Sequence, residues 1–386
     1  MKSTIHFLRL AFLLMTMFML SNCSDSEDNT PVILPHELYW ETVSPGYGHT
    51  AAIRSDGTLW TWGSNQYGEL GDGTNSNKTT PIQIGNDNNW KAVAAAGLHT
   101  LALKTDGSLW AWGHNASGQL GDGTTVSKNI PTRIGNDNNW RSIYANDAQS
   151  MAIKSDGNAY SWGNGAFGQI GNNNTENKLI PTRVPGGDWE TASVGYNHNM
   201  GVKTNGAIHT WGINYHGELG DGTHIPMYSP MGLNLEPNWK SVSAGFHSVG
   251  LKTDGTLWTW GYNQNGELGD GTNADKNIPT RIGTATDWKM ATTSNDHTAA
   301  IKSDGTIWMW GYNLQGQLGD GTFENRNIPI KIGTATNWQS VRVSAATSFA
   351  QKTDKSVWAW GSNDMGQLGI GNTIGSNIPV LVKCPQ

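Results

Sequence analysis

The pair Trp-Gly returns at Trp62, Trp112, Trp162, Trp211, Trp260, Trp310 and Trp360, at intervals of 50, 50, 49, 49, 50 and 50 residues. A fixed period of this length restricts the chain to solenoids, propellers and arrays, whose copies cannot bury their apolar faces alone. A second series, Trp40, Trp90, Trp140, Trp189, Trp239, Trp288 and Trp338, keeps the same spacing, so seven whole copies run from Trp40 to the C-terminus. For 386 residues, length alone favours two or three domains; the repeat overrides that prior, because stacked copies share one continuous core.

The second copy shows what one unit is. Trp90–Ala95 reads as a strand, Gly97-Leu98 as a turn and His99–Lys104 as a second strand. Asp106-Gly107 signals a two-residue hairpin of type I′, which needs positive φ at both centres. Ser108–Gly113 is a third strand, His114–Thr125 a loop, and Pro131–Gly135 an edge-like fourth strand, since proline is tolerated at edges and strand starts. No copy carries helical periodicity. Four antiparallel strands in about 50 residues make one propeller blade. The expected fold class is all-β, a seven-bladed β-propeller of four-stranded antiparallel blades, closed so that no sheet end is open.

Trp110 and Trp112 lie two apart on a strand and share one face; Leu109 and Ala111 take the other. A blade packed between two neighbours can be apolar on both faces. Each tryptophan buries ~150–250 Å², worth roughly 4–6 kcal/mol gross before chain entropy is charged. The Trp110 position changes to Tyr160 and His209 in the third and fourth copies, where the weakest inter-blade packing is expected. The hairpin Asp-Gly recurs at Asp56, Asp156, Asp254 and Asp304, and as Asn205-Gly206. The seventh copy has Asp354-Lys355, which puts a side chain where φ should be positive, so a strained turn or one of another type is expected.

The first 22 residues read as a lipoprotein signal peptide, with Lys2 and Arg9 beside an apolar run, Leu10–Leu20, too short to span a bilayer. Leu20-Ser21-Asn22-Cys23 resembles the lipobox of bacterial lipoproteins, with Asn22 in place of the usual Gly or Ala. On that resemblance Cys23 carries lipid, and residues 23–38, opening with Ser24-Asp25-Ser26-Glu27-Asp28, form an acidic flexible tether like that of surface-exported bacterial lipoproteins. The implied location is the outer membrane, facing the medium or the periplasm, with the membrane met through the lipid alone. If lipidation fails, Cys23 and Cys384, the two cysteines, could instead pair. Residues 39–386 form the propeller, with modules starting near 40, 90, 140, 189, 239, 288 and 338.

The motif Trp-Gly-x-Asn-x-x-Gly-x-Leu-Gly, followed by Pro-x-x-Ile and Val-x-x-Gly-x-x-His-Thr-x-x-Leu, resembles the repeat of the regulator of chromosome condensation family over about residues 40–384. The resemblance implies the seven-bladed propeller. The founding member's nucleotide exchange activity uses a hairpin inserted in one blade, and no copy here exceeds 50 residues. Secreted bacterial relatives include an inhibitor that covers β-lactamase with one propeller face, a closer analogy in compartment.

Chemistry is sparse. His49, His99, His198, His247 and His297 are equivalent, with Gln149 and Thr347 in the other copies; in a wide ring they lie too far apart to share an ion, and each is expected to hydrogen-bond its own blade's turn. Asp72-Gly73-Thr74 and its counterparts lack the ligand pattern of a calcium loop and read as turns. No nucleophile elbow, zinc-protease motif or phosphate loop occurs, so no enzyme activity, metal or cofactor is expected. With a net charge of -6 and no basic stripe, nucleic acid is not the expected partner.

What remains is a surface. After each Trp-Gly, the second residue is Asn in six copies and the fifth is Gly in all seven, while the first, third and fourth vary. Tyr67, Phe167, Tyr215, His216, Tyr262 and Tyr312 lie in these long loops, and Tyr47, Tyr196 and Phe246 in the short ones. All belong to one face of the disc. Aromatics of this kind are typical anchors. The expected function is a monomeric, non-catalytic protein-binding propeller; glycan binding by the same face is the alternative.

Overall fold

The computed structural model describes residues 37–386; the expected signal peptide, Cys23 and most of the expected tether lie outside them. Among the described residues there are twenty-eight strands and no helix, and the strands make seven antiparallel sheets, each a meander of four consecutive strands. The first blade is β1 (Trp40–Pro45), β2 (His49–Arg54), β3 (Leu59–Gly63) and β4 (Lys78–Gln83); the last is β25 (Trp338–Ser344), β26 (Thr347–Lys352), β27 (Val357–Gly361) and β28 (Ser376–Val382). Inner strands touch their neighbours all the way round, the first against the last included. The expected seven-bladed propeller is what forms, and it closes between blades seven and one without exchanging a strand. Each outer strand starts earlier than its proline suggests: Lys128 already pairs with Gly113, and a bulge beside Ala111 lets Pro131 sit without a ladder bond.

Both blade faces are apolar. Trp112 packs with Ala51, Ile53 and Leu59 of the preceding blade, while Leu109 and Ala111 pack with Trp140, Ala152 and Trp162 of the next. The closing seam repeats this with Trp40, Ala52 and Trp62 against Phe349, Val357 and Val382. Cys384 packs against the same cluster, and burial pushes its thiol up to about 11. Its pairing with Cys23 concerns a residue outside those described.

Polar staples run through every seam. The indole N–H of Trp112 donates to the Glu69 carbonyl of the preceding blade, and the six equivalent tryptophans do likewise, at 2.8–3.0 Å. The same carbonyl accepts a second bond, from Thr100; Thr50, Ser150, Ser248, Thr298 and Ser348 repeat it at 2.7–3.0 Å. The histidines cap these hydroxyls. His49, His99, His198, His247 and His297 each place Nε2 2.6–2.9 Å from the hydroxyl of the next blade. The expected bond to the histidine's own turn forms at His297, whose Nδ1 lies 2.9 Å from the Ser294 hydroxyl, while the bond common to all five is between blades. Each hydroxyl proton is committed to the carbonyl, so the imidazole must donate from Nε2. Where Gln149 replaces histidine, Asn199 replaces the hydroxyl, and both amides donate to the Gln169 carbonyl.

Tyr160 and His209 keep the edge-to-face contact with their own blade's first tryptophan, at 5.3 and 5.5 Å. One further expectation changes. The hairpin turn is not type I′. Gly57 N–H donates to the Arg54 carbonyl, Arg54 N–H to Thr58, and only Gly57 has positive φ (81°). This is a three-residue loop, a type I turn closed by a left-handed glycine. Lys355 occupies that glycine position at φ 67°, as its sequence implied.

Two outcomes follow. Lys355→Gly raises stability by about 1 kcal/mol in denaturant unfolding, since glycine bears no Cβ penalty there. Burial lowers His99, His198, His247 and His297 to about 3 and His49 to about 4. The folded state therefore binds fewer protons than the unfolded chain between those values and about 6.5, so stability present above pH 6.5 is lost as pH falls. From pH 7 to 5 the loss is at most about 2 kcal/mol per imidazole, read as a falling melting temperature; a flat profile contradicts it.

Candidate functional site

The long loop after each third strand is shaped by its asparagine. Asn65 Oδ1 accepts Leu70 N–H at 3.0 Å, and its Nδ2 reaches Asp72 Oδ1 at 3.0 Å and the Thr74 carbonyl at 3.1 Å. Asn115, Asn214, Asn263, Asn313 and Asn363 accept the equivalent N–H. Asp72 Oδ1 also accepts the Thr74 N–H and hydroxyl, and its Oδ2 pairs with Lys78 at 3.3 Å, so these carboxylates serve the turn. The frame leaves the residues on either side of the asparagine free to project. Backbone bonds from Ser64 to Gly48, His114 to Leu98 and Tyr312 to Asp296 tie long loops to short ones, placing both sets on one face.

On that face the nine expected site residues separate into groups. Five converge over blades four and five. Tyr196 meets Phe246 edge-on at 4.9 Å, Phe246 meets Tyr262 at 6.3 Å, and Tyr262 meets His216 at 5.1 Å. Tyr215, 60% exposed, completes a cleft of about 280 Å³ with them. His216 Nδ1 lies 2.7 Å from Asp275 Oδ2, and its N–H donates to Glu218. The other four stand apart. Tyr67 packs on His114 at 4.6 Å, and Phe167 is exposed on the third blade. Tyr312 holds its loop by its backbone and belongs to no ring pair among the described residues. Tyr47 lines the central channel, where its hydroxyl accepts a bond from Asn295 of the sixth blade at 3.1 Å.

The surroundings are acidic. Burial raises the carboxyls of Asp147, Asp296 and Glu218 and pushes Glu267 up to about 7. Burial, then nearby Glu267, Asp296 and Asp275, raises the Tyr262 hydroxyl; Asp147 does the same to Tyr196. Among the described residues no group of three or more His, Cys, Asp or Glu is placed to hold a metal. The arrangement can hold an apolar group among the rings, or a cation over a ring face. Sequence reasoning missed Asp147, Asn295 and Asp296. They occupy the short loops, where comparing copies for every residue type, not for aromatics alone, would have found them.

The pattern described as "Regulator of chromosome condensation (RCC1) repeat" matches residues 56–103, 106–153, 156–202, 254–301, 304–351 and 354–386. A second pattern of the same description matches residues 41–69, 90–119 and 239–267. Neither covers residues 203–238, which carry Tyr215 and His216. No curated protein matches the chain in sequence. Among solved structures it resembles human WBSCR16, at 20% identity and a TM-score of 0.77, over 85% of this chain and 94% of that one. Yeast RCC1 (Prp20), solved with Kap60 bound, gives 20% identity and 0.76, over 90% and 85%. Prp20p from Saccharomyces cerevisiae, described with its binding to Gsp1p and histones, gives 21% and 0.76, over 90% and 88%. With its repeats matched over most of its length and folded into seven four-stranded blades, the chain belongs to the regulator of chromosome condensation repeat family.

Proposed function

We propose that this chain is a non-catalytic protein-binding propeller, held on a bacterial envelope membrane by a lipidated Cys23 and binding through its aromatic loop face. The carrying observation is the convergence of Tyr196, Tyr215, His216, Phe246 and Tyr262 around one cleft, two of them, Tyr215 and His216, in the stretch that the family repeat does not match. Exposed and half-buried rings on a rigid scaffold bury large area at little entropic cost, which makes them effective anchors. The acidic rim suits a partner surface that presents lysine or arginine beside apolar groups. One similar propeller, yeast Prp20, is described in complex with Kap60 and as binding Gsp1p and histones, which agrees with this use of the fold. The lipobox-like Leu20-Ser21-Asn22-Cys23 supports the anchor. Glycan binding stays the alternative, because ring faces beside Asn197 and Asp275 also suit a sugar.

Two measurements check this. Replacing Tyr215, Phe246 and Tyr262 together by alanine weakens the affinity for an identified envelope protein partner by about tenfold or more, with nearly unchanged thermal melting. Unaltered affinity rejects the site, and binding confined to a glycan array favours the alternative. Cys23→Ser moves the protein from the membrane fraction to the soluble fraction; retention on membranes rejects the lipid anchor.

A further inference from the structure

The seven inner strands enclose a central channel of about 600 Å³, lined mainly by small aliphatic and hydroxyl side chains. Two arginines and no carboxylate line it, in a chain whose net charge is -6. The arginines differ in what holds them. Arg141, on the third blade, donates to the Trp189 and Glu190 carbonyls at 2.7 and 2.8 Å and pairs with the Glu190 carboxylate at 3.3 Å. Arg342, in β25, makes no hydrogen bond or ion pair among the described residues, though it is the one charged group at its level of the wall. Glu41 lines a narrow cleft of about 80 Å³ beside it but stays outside ion-pair distance.

The position explains itself against the other copies. Where β25 has Arg342, blades one, four and five have Ser44, Ser193 and Ser243, whose hydroxyls accept the backbone N–H of Ala95, Ala244 and Thr293 in the next blade at 2.9–3.1 Å. Across the closing seam the corresponding residue is Pro45, which has no N–H to give. A serine would gain nothing there, and a long cation stands in its place. Its side chain is wet by the channel yet ringed by protein, and this enclosure pushes the guanidinium down from its ordinary range. A guanidinium so placed offers two parallel N–H donors to any planar or tetrahedral oxyanion.

We propose that the central channel binds a small oxyanion, a phosphate or a carboxylate, on Arg342. The approach is from the face opposite the aromatic loops. There the inner strands carry Lys91, Arg141, Lys240 and Lys289 at their second position, against Glu41 and Glu190, and the excess of positive charge draws anions inward. The loop-face mouth is the wrong sign for entry, with the Asp147 and Asp296 carboxyls near Tyr47.

Inorganic phosphate and succinate, each titrated into the full chain at ionic strength held with potassium chloride, test this by calorimetry and thermal melting. The expected result is a saturable rise in melting temperature with one or both anions; which anion acts identifies the chemistry. Arg342→Ser, a residue the blades already carry at this level, raises the dissociation constant by about tenfold or more, the loss of one charge-assisted pair of hydrogen bonds. In anion-free buffer it melts at or above the parent, since an unpaired guanidinium is removed. Arg342→Gln serves equally if the serine variant does not fold, and Arg342→Lys keeps the charge but binds more weakly than the parent. Absence of a saturable response to either anion, or a response that survives charge removal, overturns the proposal.

Discussion

A single backbone oxygen, that of Glu69 and of its six counterparts, takes two hydrogen bonds from the following blade, and the ring depends on it. One comes from an indole and the other from a hydroxyl or, at Asn199, an amide. All these groups are buried, so losing one partner would strand the others at about 1–3 kcal/mol each. The oxygen also explains the last glycine of the repeat. A Cβ on Gly71 would come within 2.8 Å of the Trp112 ring nitrogen, and the other copies leave 2.6–2.7 Å. The repeat motif is therefore a description of a seam more than of a blade.

Rigid seams leave the loops free to differ. The third and fourth blades show how far a seam can change while holding: Gln149 and Asn199 substitute for the histidine and hydroxyl as a matched pair on the same carbonyl. A cation at the end of each second strand adds to the hold. Lys104 sits over Trp90 at 4.8 Å and Trp110 at 4.4 Å and pairs with Asp87. Arg54, Lys154, Lys203, Lys252, Lys302 and Lys352 also lie over their blades' aromatic rings. With packing, staples and cations all placed between or within blades, a ring such as Tyr215 carries no share of the fold and can serve recognition.

Much of this was legible in the chain because it is local. The strands, their alternation of faces and the positive φ at Lys355 follow from residues one to four apart, where propensity and steric rules act directly. The turn type was misread because Asp-Gly fits two hairpin geometries, and the bond from Gly57 to Arg54 distinguishes them. The inter-blade bonds of the histidines were missed because their partners lie 50 or 51 residues away, one blade on.

The amino-acid sequence by itself determined the number of blades, their strands and the side of the disc on which the variable loops emerge, because the period counts the copies and the alternation of strand direction sorts their loops. Only the tertiary structure decided that Tyr196, Phe246, Tyr262 and His216 meet while Tyr47 turns into the channel, and that Arg342 stands without a partner among the described residues, at the seam joining two ends more than 300 residues apart. Those outcomes depend on how neighbouring blades face one another around the ring, a relation that repetition along the chain does not encode.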